Sequence, residues 1–134
     1  MNKNIFKAYD IRGIYPEDIN PETVIAIGCA VARMFNPGSV VLAHDIRHGS
    51  PELAAALGES ILSEAKALGK DLKVINAGLS TTPMFYFLVN HFKSSGGCMI
   101  TASHNPKNYN GVKTVREGAE MVSGTEVLKL VEQL

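Results

Sequence analysis

Four segments of the chain carry apolar residues at the three-to-four-residue spacing of an amphipathic helix. Each begins with a small polar residue of the kind that caps a helix, and in three of them proline follows at the first helical position. The predicted starts are Asn20-Pro21, Ser50-Pro51, Thr82-Pro83 and Ser123, the last with Glu126 placed to complete a capping box. The third segment runs to about Phe92 and is apolar on nearly every side, so it is predicted to be a buried core helix.

Short β-branched and apolar runs alternate with these helices and are typical of buried strands. The runs are Val40–Ala43, Leu72–Ile75 and Cys98–Thr101. A further strand, Gly111–Val115, follows a nine-residue loop, a connection short enough to favour an antiparallel return. The alternation predicts an α/β fold, a three-layer domain in which a mixed, mainly parallel β-sheet is sandwiched between helices.

Length and charge narrow the possibilities. With 134 residues, 46% of them hydrophobic, the chain has the size of one ordinary domain, which we place at residues 1–134. Its formal net charge is zero, so no overall field attracts it to nucleic acid or to an anionic membrane. Since no apolar stretch could cross a bilayer and the N-terminus lacks the apolar core of a signal peptide, we predict a cytoplasmic protein.

Potential metal ligands occur in two isolated pairs. Cys29 and Cys98 are far apart in the sequence, which favours two buried thiols over a disulfide or a metal site. His44 and His48 have i,i+4 spacing, but Pro51 prevents one continuous helix there. We therefore predict no zinc site.

Polar residues follow several predicted strands, and the carboxyl ends of parallel strands bring such loops to one edge of a sheet. These residues are Arg12 after the first strand-like segment, then Asp45 and Arg47, Ser80–Thr82, and Ser103–Asn105. We expect them to converge in space. For Ser80–Thr82 the favoured interpretation is simpler, namely that they form a turn and cap a helix.

The segment from Gly96 to Pro106 carries the clearest chemical signal. An apolar strand ends in Ser103, His104 and an amide, and the proline then prevents the strand from continuing. A serine presented on such a loop suits a nucleophile or a phosphoryl carrier. His104 could move a proton, and Lys113 on the following strand could offset anionic charge.

These residues also carry a resemblance to a known family. TASHNP at 101–106 and Asn-Gly-Val-Lys at 110–113 resemble the serine loop of the α-D-phosphohexomutases, the phosphomannomutase and phosphoglucomutase family. Three more segments resemble the family in order, at 6–13, 45–47 and 78–83. The resemblance implies the first of four domains, which carries the serine in enzymes that interconvert hexose 1-phosphate and hexose 6-phosphate through a bisphosphate. It also implies hexose 1,6-bisphosphate as activator and intermediate, and Mg²⁺ as cofactor.

The resemblance also assigns roles to individual residues. Ser103 would carry the phosphoryl group and bind the metal through it, while His104, Lys113 and Arg12 would lie at the reacting group. Tyr9 and Asn110 would shape the substrate site, with a simple turn as the alternative for Asn110. The expected partners are a hexose phosphate and the remaining domains of the same polypeptide. We interpret Asp45 and Arg47 as structural or interdomain residues.

The chain lacks one part of the site that the resemblance implies. It contains no D-x-D-x-D cluster to complete a magnesium site, so we expect these residues alone to be inactive.

A phosphosugar-binding or interaction module of the same fold is an alternative function. A serine hydrolase is disfavoured, because sequence-adjacent Ser103 and His104 rarely reach triad geometry and no G-x-S-x-G elbow is present. The stretch 107–110 resembles the mannose and glucose branch of the family, and the resemblance therefore implies a mannose or glucose phosphate over a glucosamine phosphate.

Overall fold

The computed structural model describes residues 1–134 and contains six strands and four α-helices. In chain order they are β1 (Ile11–Ile14), α1 (Pro21–Met34), β2 (Gly38–His44), α2 (Ser50–Ala67), β3 (Leu72–Leu79), α3 (Thr82–His91), β4 (Gly96–Ile100), β5 (Tyr109–Arg116), β6 (Met121–Val122) and α4 (Gly124–Val131). Two single-turn 3₁₀ helices, Lys3–Ile5 and Glu117–Ala119, complete the secondary structure. No helix is both long and apolar enough to span a membrane.

Caps fix the helix starts, with two corrections to the predicted positions. Asn20 and Ser123 are the predicted N-caps, and their side chains accept the amide protons of the third following residue. In α2 the N-cap is Gly49, with φ 79°, and Ser50 is the first helical residue because its hydroxyl donates to Asp45 instead of capping the helix. In α3 the N-cap is Thr81, one residue earlier than predicted.

The sheet has the order β1-β5-β4-β2-β3, with β6 added on β5. Strands β4, β2 and β3 are mutually parallel, whereas β1, β4 and β6 all pair with β5 in the antiparallel sense. The predicted mixed sheet is therefore confirmed, but parallel pairing is limited to three of the six strands. The short loop from β4 to β5 reverses the direction of the chain, so β5 runs antiparallel to β4. Strands β1 and β6 pair with β5 and also run antiparallel to it.

Helices cover both faces of the sheet, as the three-layer prediction requires. Helices α1, α2 and α4 enclose the larger core on one face, where the side chains of Ile27, Leu57 and Val127 are buried. Helix α3 covers the other face through Phe85 and Val89, which pack against β2, β4 and β5. Burial of these apolar side chains is the main favourable contribution to folding.

The prediction that α3 is buried on all sides is wrong. Only Phe85 and Val89 are buried in it, while the side chain of Phe87 is 62% exposed. The reason is that α3 packs on the sheet with one face, and none of the other three α-helices packs against it. Gly97 in β4 permits this close packing, since a Cβ there would lie 2.6 Å from Phe85 Cε2 and 2.8 Å from the Val41 carbonyl oxygen.

Candidate functional site

Strands β4 and β5 are joined by a tight loop, residues 101–108, which we call the serine loop. Ser103 lies in this loop with φ 52°, a left-handed conformation that serine rarely adopts. Its amide donates to Thr101 Oγ1 at 3.0 Å, and the Asn105 amide donates to the Ala102 carbonyl oxygen at 3.1 Å. Ser103 takes part in these bonds only through its backbone, so its hydroxyl is left free for an external group.

A cavity of about 660 Å³ opens beside Ser103 at the carboxyl ends of the parallel strands. Its polar lining residues are Asp45, Ser80, Thr81, Thr82, Thr101, Ser103, His104 and Lys113. The expected convergence of the strand-end residues is therefore found for the segments that contain Asp45, Ser80–Thr82 and Ser103, but not for Arg12, which does not line this cavity. Thr81 also caps α3, accepting the Met84 amide at 3.3 Å, so the capping interpretation of that segment holds as well.

The cationic group of this cavity is Lys113, on the buried strand β5 opposite Met99 of β4. Its side chain is only 9% exposed, and its Nζ lies 3.8 Å from Asp10 Oδ2. The other carboxylate oxygen of Asp10 accepts from Arg12 Nε at 2.6 Å. Asp10 is thus a buried bridge between two cations, and the cluster retains one net positive charge.

Arg12 and Tyr9 do not line the cavity beside Ser103. Arg12 is inside β1, paired with Gly111, rather than after the first strand. Its side chain lines a separate cavity of about 370 Å³, together with Asn105 on the other side of the serine loop. Tyr9 is 68% exposed and lines neither cavity. Only Ser103, His104 and Lys113 of the candidate residues share one cavity, to which Arg12 is linked through Asp10.

Asn110 is fully buried, which favours its structural interpretation over contact with a substrate. Its amide nitrogen donates to the His48 carbonyl oxygen at 3.2 Å and to Ser50 Oγ at 3.0 Å. Its amide oxygen accepts from the backbone of Gly111. These contacts tie the start of β5 to the start of α2 and leave the side chain no access to the cavity.

Arg47 and Asp45 support the serine loop from the side. Both terminal nitrogens of the Arg47 guanidinium donate to backbone carbonyl oxygens of the loop and of Tyr109 at its end. Arg47 Nε lies 3.3 Å from Asp45 Oδ2, and Asp45 Oδ1 accepts from Ser50 Oγ at 2.8 Å. Of the two roles expected for this pair, the structural one is therefore observed.

The chain does not assemble a set of metal ligands by itself. No three His, Cys, Asp or Glu side chains lie close enough to hold a metal ion. Asp45 is the one carboxylate lining the cavity beside Ser103, and it is already paired with Arg47 and Ser50. His44 Nδ1 is 2.8 Å from the Asp45 carbonyl oxygen, whereas His48 packs edge-on against Tyr15.

The contributions of two residues to the site, Asp10 and Thr101, could not be predicted from the sequence. Asp10 belongs to a segment quoted for the family resemblance, but nothing in the sequence places it between Arg12 and Lys113. Thr101 belongs to a predicted strand and to the TASHNP segment, but neither pattern shows that its hydroxyl oxygen accepts the Ser103 amide. The sequence offers one signal for the role of Asp10: a carboxylate two residues before Arg12, at the start of a strand, is placed to pair with that arginine.

Comparison with known proteins gives consistent results. The family model described as "Phosphoglucomutase/phosphomannomutase, alpha/beta/alpha domain I" matches residues 3–134. A protein of Xanthomonas campestris pv. campestris named "Phosphohexose mutases" is 47% identical over 123 residues, 92% of this chain and 26% of that protein. An Escherichia coli phosphomannomutase is 41% identical over 129 residues, 96% of this chain and 27% of that protein.

Solved structures agree with the sequence comparison. The crystal structure of a phosphoglucomutase/phosphomannomutase family protein from Burkholderia thailandensis superposes with a TM-score of 0.82 at 29% identity, over 99% of this chain and 30% of that one. The chain thus spans roughly a quarter to a third of the length of these relatives.

Proposed function

Because the chain belongs to the phosphoglucomutase/phosphomannomutase family, we propose that it is the serine-carrying domain of a longer cytoplasmic phosphohexomutase. In this proposal Ser103 carries a phosphoryl group between a hexose 1-phosphate and a hexose 6-phosphate of the mannose or glucose type. The bisphosphate is the intermediate, and added hexose 1,6-bisphosphate loads the serine. The remaining domains of the polypeptide would bind most of the sugar.

One observation carries the proposal: a free serine hydroxyl, held in a left-handed backbone conformation, faces the same cavity as a buried lysine. Phosphoryl transfer requires in-line positioning of the reacting oxygen and cationic stabilisation of the equatorial phosphoryl oxygens. The loop supplies the first through Ser103. Lys113 supplies the second from a site in which burial strengthens its field.

In the proposed transfer step, each bond that breaks is matched by one that forms, and each proton lost by one oxygen is gained by another. As phosphoserine reacts, the bond between phosphorus and Ser103 Oγ breaks while a bond forms between phosphorus and a hydroxyl oxygen of the sugar. The sugar hydroxyl loses its proton and Ser103 Oγ gains one. His104 and Lys113 are the neighbouring groups that can relay the proton, and the reverse transfer uses the same atoms in the opposite order.

Asp10 gives Lys113 its orientation in this proposal. The buried carboxylate contacts both Lys113 and Arg12, so it would hold Lys113 in place beside the cavity without neutralising both cations. Loss of Asp10 would leave two partly buried cations unpaired, which is costly in a low-dielectric environment.

In this proposal Mg²⁺ would be held by the phosphorylated Ser103 together with groups outside these residues. A phosphorylated Ser103 would offer one phosphate oxygen as a ligand, and the ion would supply further positive charge to the phosphoryl group. The residues described here do not complete the coordination, because Asp45 is engaged elsewhere and no acidic cluster is present. The missing carboxylates would come from another part of the polypeptide.

The test is loading of the serine in the full-length polypeptide that contains these residues. We expect incubation with hexose 1,6-bisphosphate and Mg²⁺ to add one phosphoryl group, located at Ser103 by peptide mass spectrometry. Ser103→Ala should abolish the addition. Ser63→Ala is the matched control, because Ser63 is exposed on α2 and distant from the cavity.

Three results would contradict the proposal. An unmodified Ser103 after incubation would remove its central step. Hexose phosphate binding without turnover would favour a non-catalytic module, and labelling of Ser103 by a serine-reactive phosphonate with hydrolysis of esters would favour a hydrolase.

A further inference from the structure

Arg47 makes an unusual set of contacts with the serine loop. Its Nη2 donates to the carbonyl oxygens of Ser103 at 2.8 Å and Asn105 at 2.6 Å. Its Nη1 donates to those of Pro106 at 2.7 Å and Tyr109 at 3.1 Å. One side chain therefore binds four carbonyl oxygens that extend from the reactive serine to the first residue of β5.

The four contacts occupy both terminal nitrogens of the guanidinium. Each terminal nitrogen has two N–H groups and Nε has one. The Nε group faces Asp45 Oδ2 at 3.3 Å, and the side chain is 14% exposed. Asp45 also accepts from the backbone amide of Arg47 and from Ser50 Oγ, so the guanidinium is itself held in place.

The occupation of both terminal nitrogens separates Arg47 from the cations that could bind a phosphate. Nη1 and Nη2 each donate to two backbone carbonyl oxygens, and Nε lies beside the Asp45 carboxylate, so neither terminal nitrogen is free for a substrate. The position also requires a planar fork. An ammonium group has three donors from a single point and cannot reach four converging carbonyl oxygens together.

Convergence of these carbonyl oxygens is unfavourable without a cation, because their dipoles point toward one another. The same loop holds Ser103 at φ 52°, a conformation that an isolated chain avoids. We propose that Arg47 is a positioning residue, which fixes the loop and thereby aims the Ser103 hydroxyl at the phosphoryl group. This inference rests on the proposed function of Ser103.

The expected consequence is a loss of rate with little loss of binding. Misplacement of a reacting group by about 1 Å can cost on the order of 100-fold in rate. In the full-length polypeptide we expect Arg47→Ala to lower kcat by about that factor and to leave KM nearly unchanged. Arg47→Lys should restore little of the rate. Guanidinium ion in the millimolar range should restore part of it to Arg47→Ala, whereas ammonium ion should not.

Amide hydrogen exchange provides a readout that does not depend on activity. The amides of Ser103, Asn105 and Tyr109 are all bonded within the loop, and we expect faster exchange at all three in Arg47→Ala. Arg33→Ala is the matched control, since Arg33 pairs with Glu64 on the helical face far from the loop. Its rate and its loop exchange should equal those of the unmodified protein.

The outcomes separate this inference from the function on which it rests. If Ser103 is never phosphorylated but amide exchange in the loop accelerates in Arg47→Ala, the proposed function fails, while the conclusion that Arg47 fixes the loop is retained. If Arg47→Ala transfers phosphoryl groups at the normal rate, or loses rate with loop exchange unchanged, the positioning role is overturned. A raised KM with normal kcat would also overturn it, because that pattern marks a ligand of the substrate. If Arg47→Ala does not fold, Arg47→Lys and its loop exchange decide the question.

Discussion

The left-handed conformation of Ser103 has a measurable effect on stability, which two small substitutions can isolate. An L-residue at φ near +50° costs about 1–2 kcal/mol relative to an ordinary backbone conformation. Ser103→Ala retains this cost, whereas Ser103→Gly removes it because glycine has no Cβ. Glycine in turn loses roughly 0.5–1 kcal/mol more conformational entropy on folding. We therefore expect Ser103→Gly to be more stable than Ser103→Ala, by up to about 1.5 kcal/mol.

Ser63 supplies the control of opposite sign. It is exposed in the interior of α2, where alanine is more stable than glycine by about 0.8–1 kcal/mol. Neither serine side chain takes part in the hydrogen bonds of its element, so removal of the hydroxyl affects both positions similarly.

Urea unfolding followed by circular dichroism measures the four free energies of unfolding, with the m-value checked for constancy. The expected result is a reversal, glycine above alanine at Ser103 and below it at Ser63. If alanine is the more stable residue at both positions, the serine loop does not hold a left-handed residue in solution. Ser103 would then not be an oriented nucleophile.

Two further predictions concern ionisable groups elsewhere in the fold. Asp18 accepts hydrogen bonds from Asn2 Nδ2 at 2.9 Å and from the Ile14 amide, and these bonds lower the pKa of Asp18. The ionised carboxylate therefore stabilises the fold above its unfolded pKa of about 3.9. This stabilisation is lost as the pH falls through the lower pKa of the folded state. Urea unfolding should thus show a larger deficit for Asp18→Asn at about pH 6 than at about pH 3, and an equal deficit would contradict the shift. Burial raises the pKa of the Cys98 thiol to about 12, so a disulfide reagent should label the partly exposed Cys29 in the native protein and reach Cys98 only after unfolding. Native labelling of Cys98 at the rate of Cys29 would show that the β4 core opens readily.

Much of the fold could be predicted from local signals because the elements depend on neighbouring residues. The caps at Asn20 and Ser123 and the buried strands are examples, since each depends on a few adjacent side chains. Helix α3 shows the limit of this approach. Its apolar residues surround the helix, but the sequence does not reveal that only one face meets the sheet.

The site was predictable in part for the same reason. Ser103 and His104 are adjacent, and Lys113 follows on the next strand, so one hairpin brings all three to one cavity. The bridge from Asp10 to Lys113 joins residues that are far apart in the sequence. It depends on the register of β1 against β5, which hydrophobic periodicity alone does not determine.

Charge pairing around Ser103 explains why the neutral composition of the chain was a poor guide to its chemistry. Arg47 is balanced by Asp45, and Arg12 shares Asp10 with Lys113, so three cations and two carboxylates leave a surplus of one positive charge. A phosphoryl group carries nearly two negative charges at neutral pH. The surplus is therefore too small to neutralise the group, although burial of Lys113 makes it effective at short range. In the proposed enzyme these residues would therefore orient the reacting phosphoryl group, and the balance of positive charge would have to come from outside this set of side chains, which is the role the proposal gives to Mg²⁺.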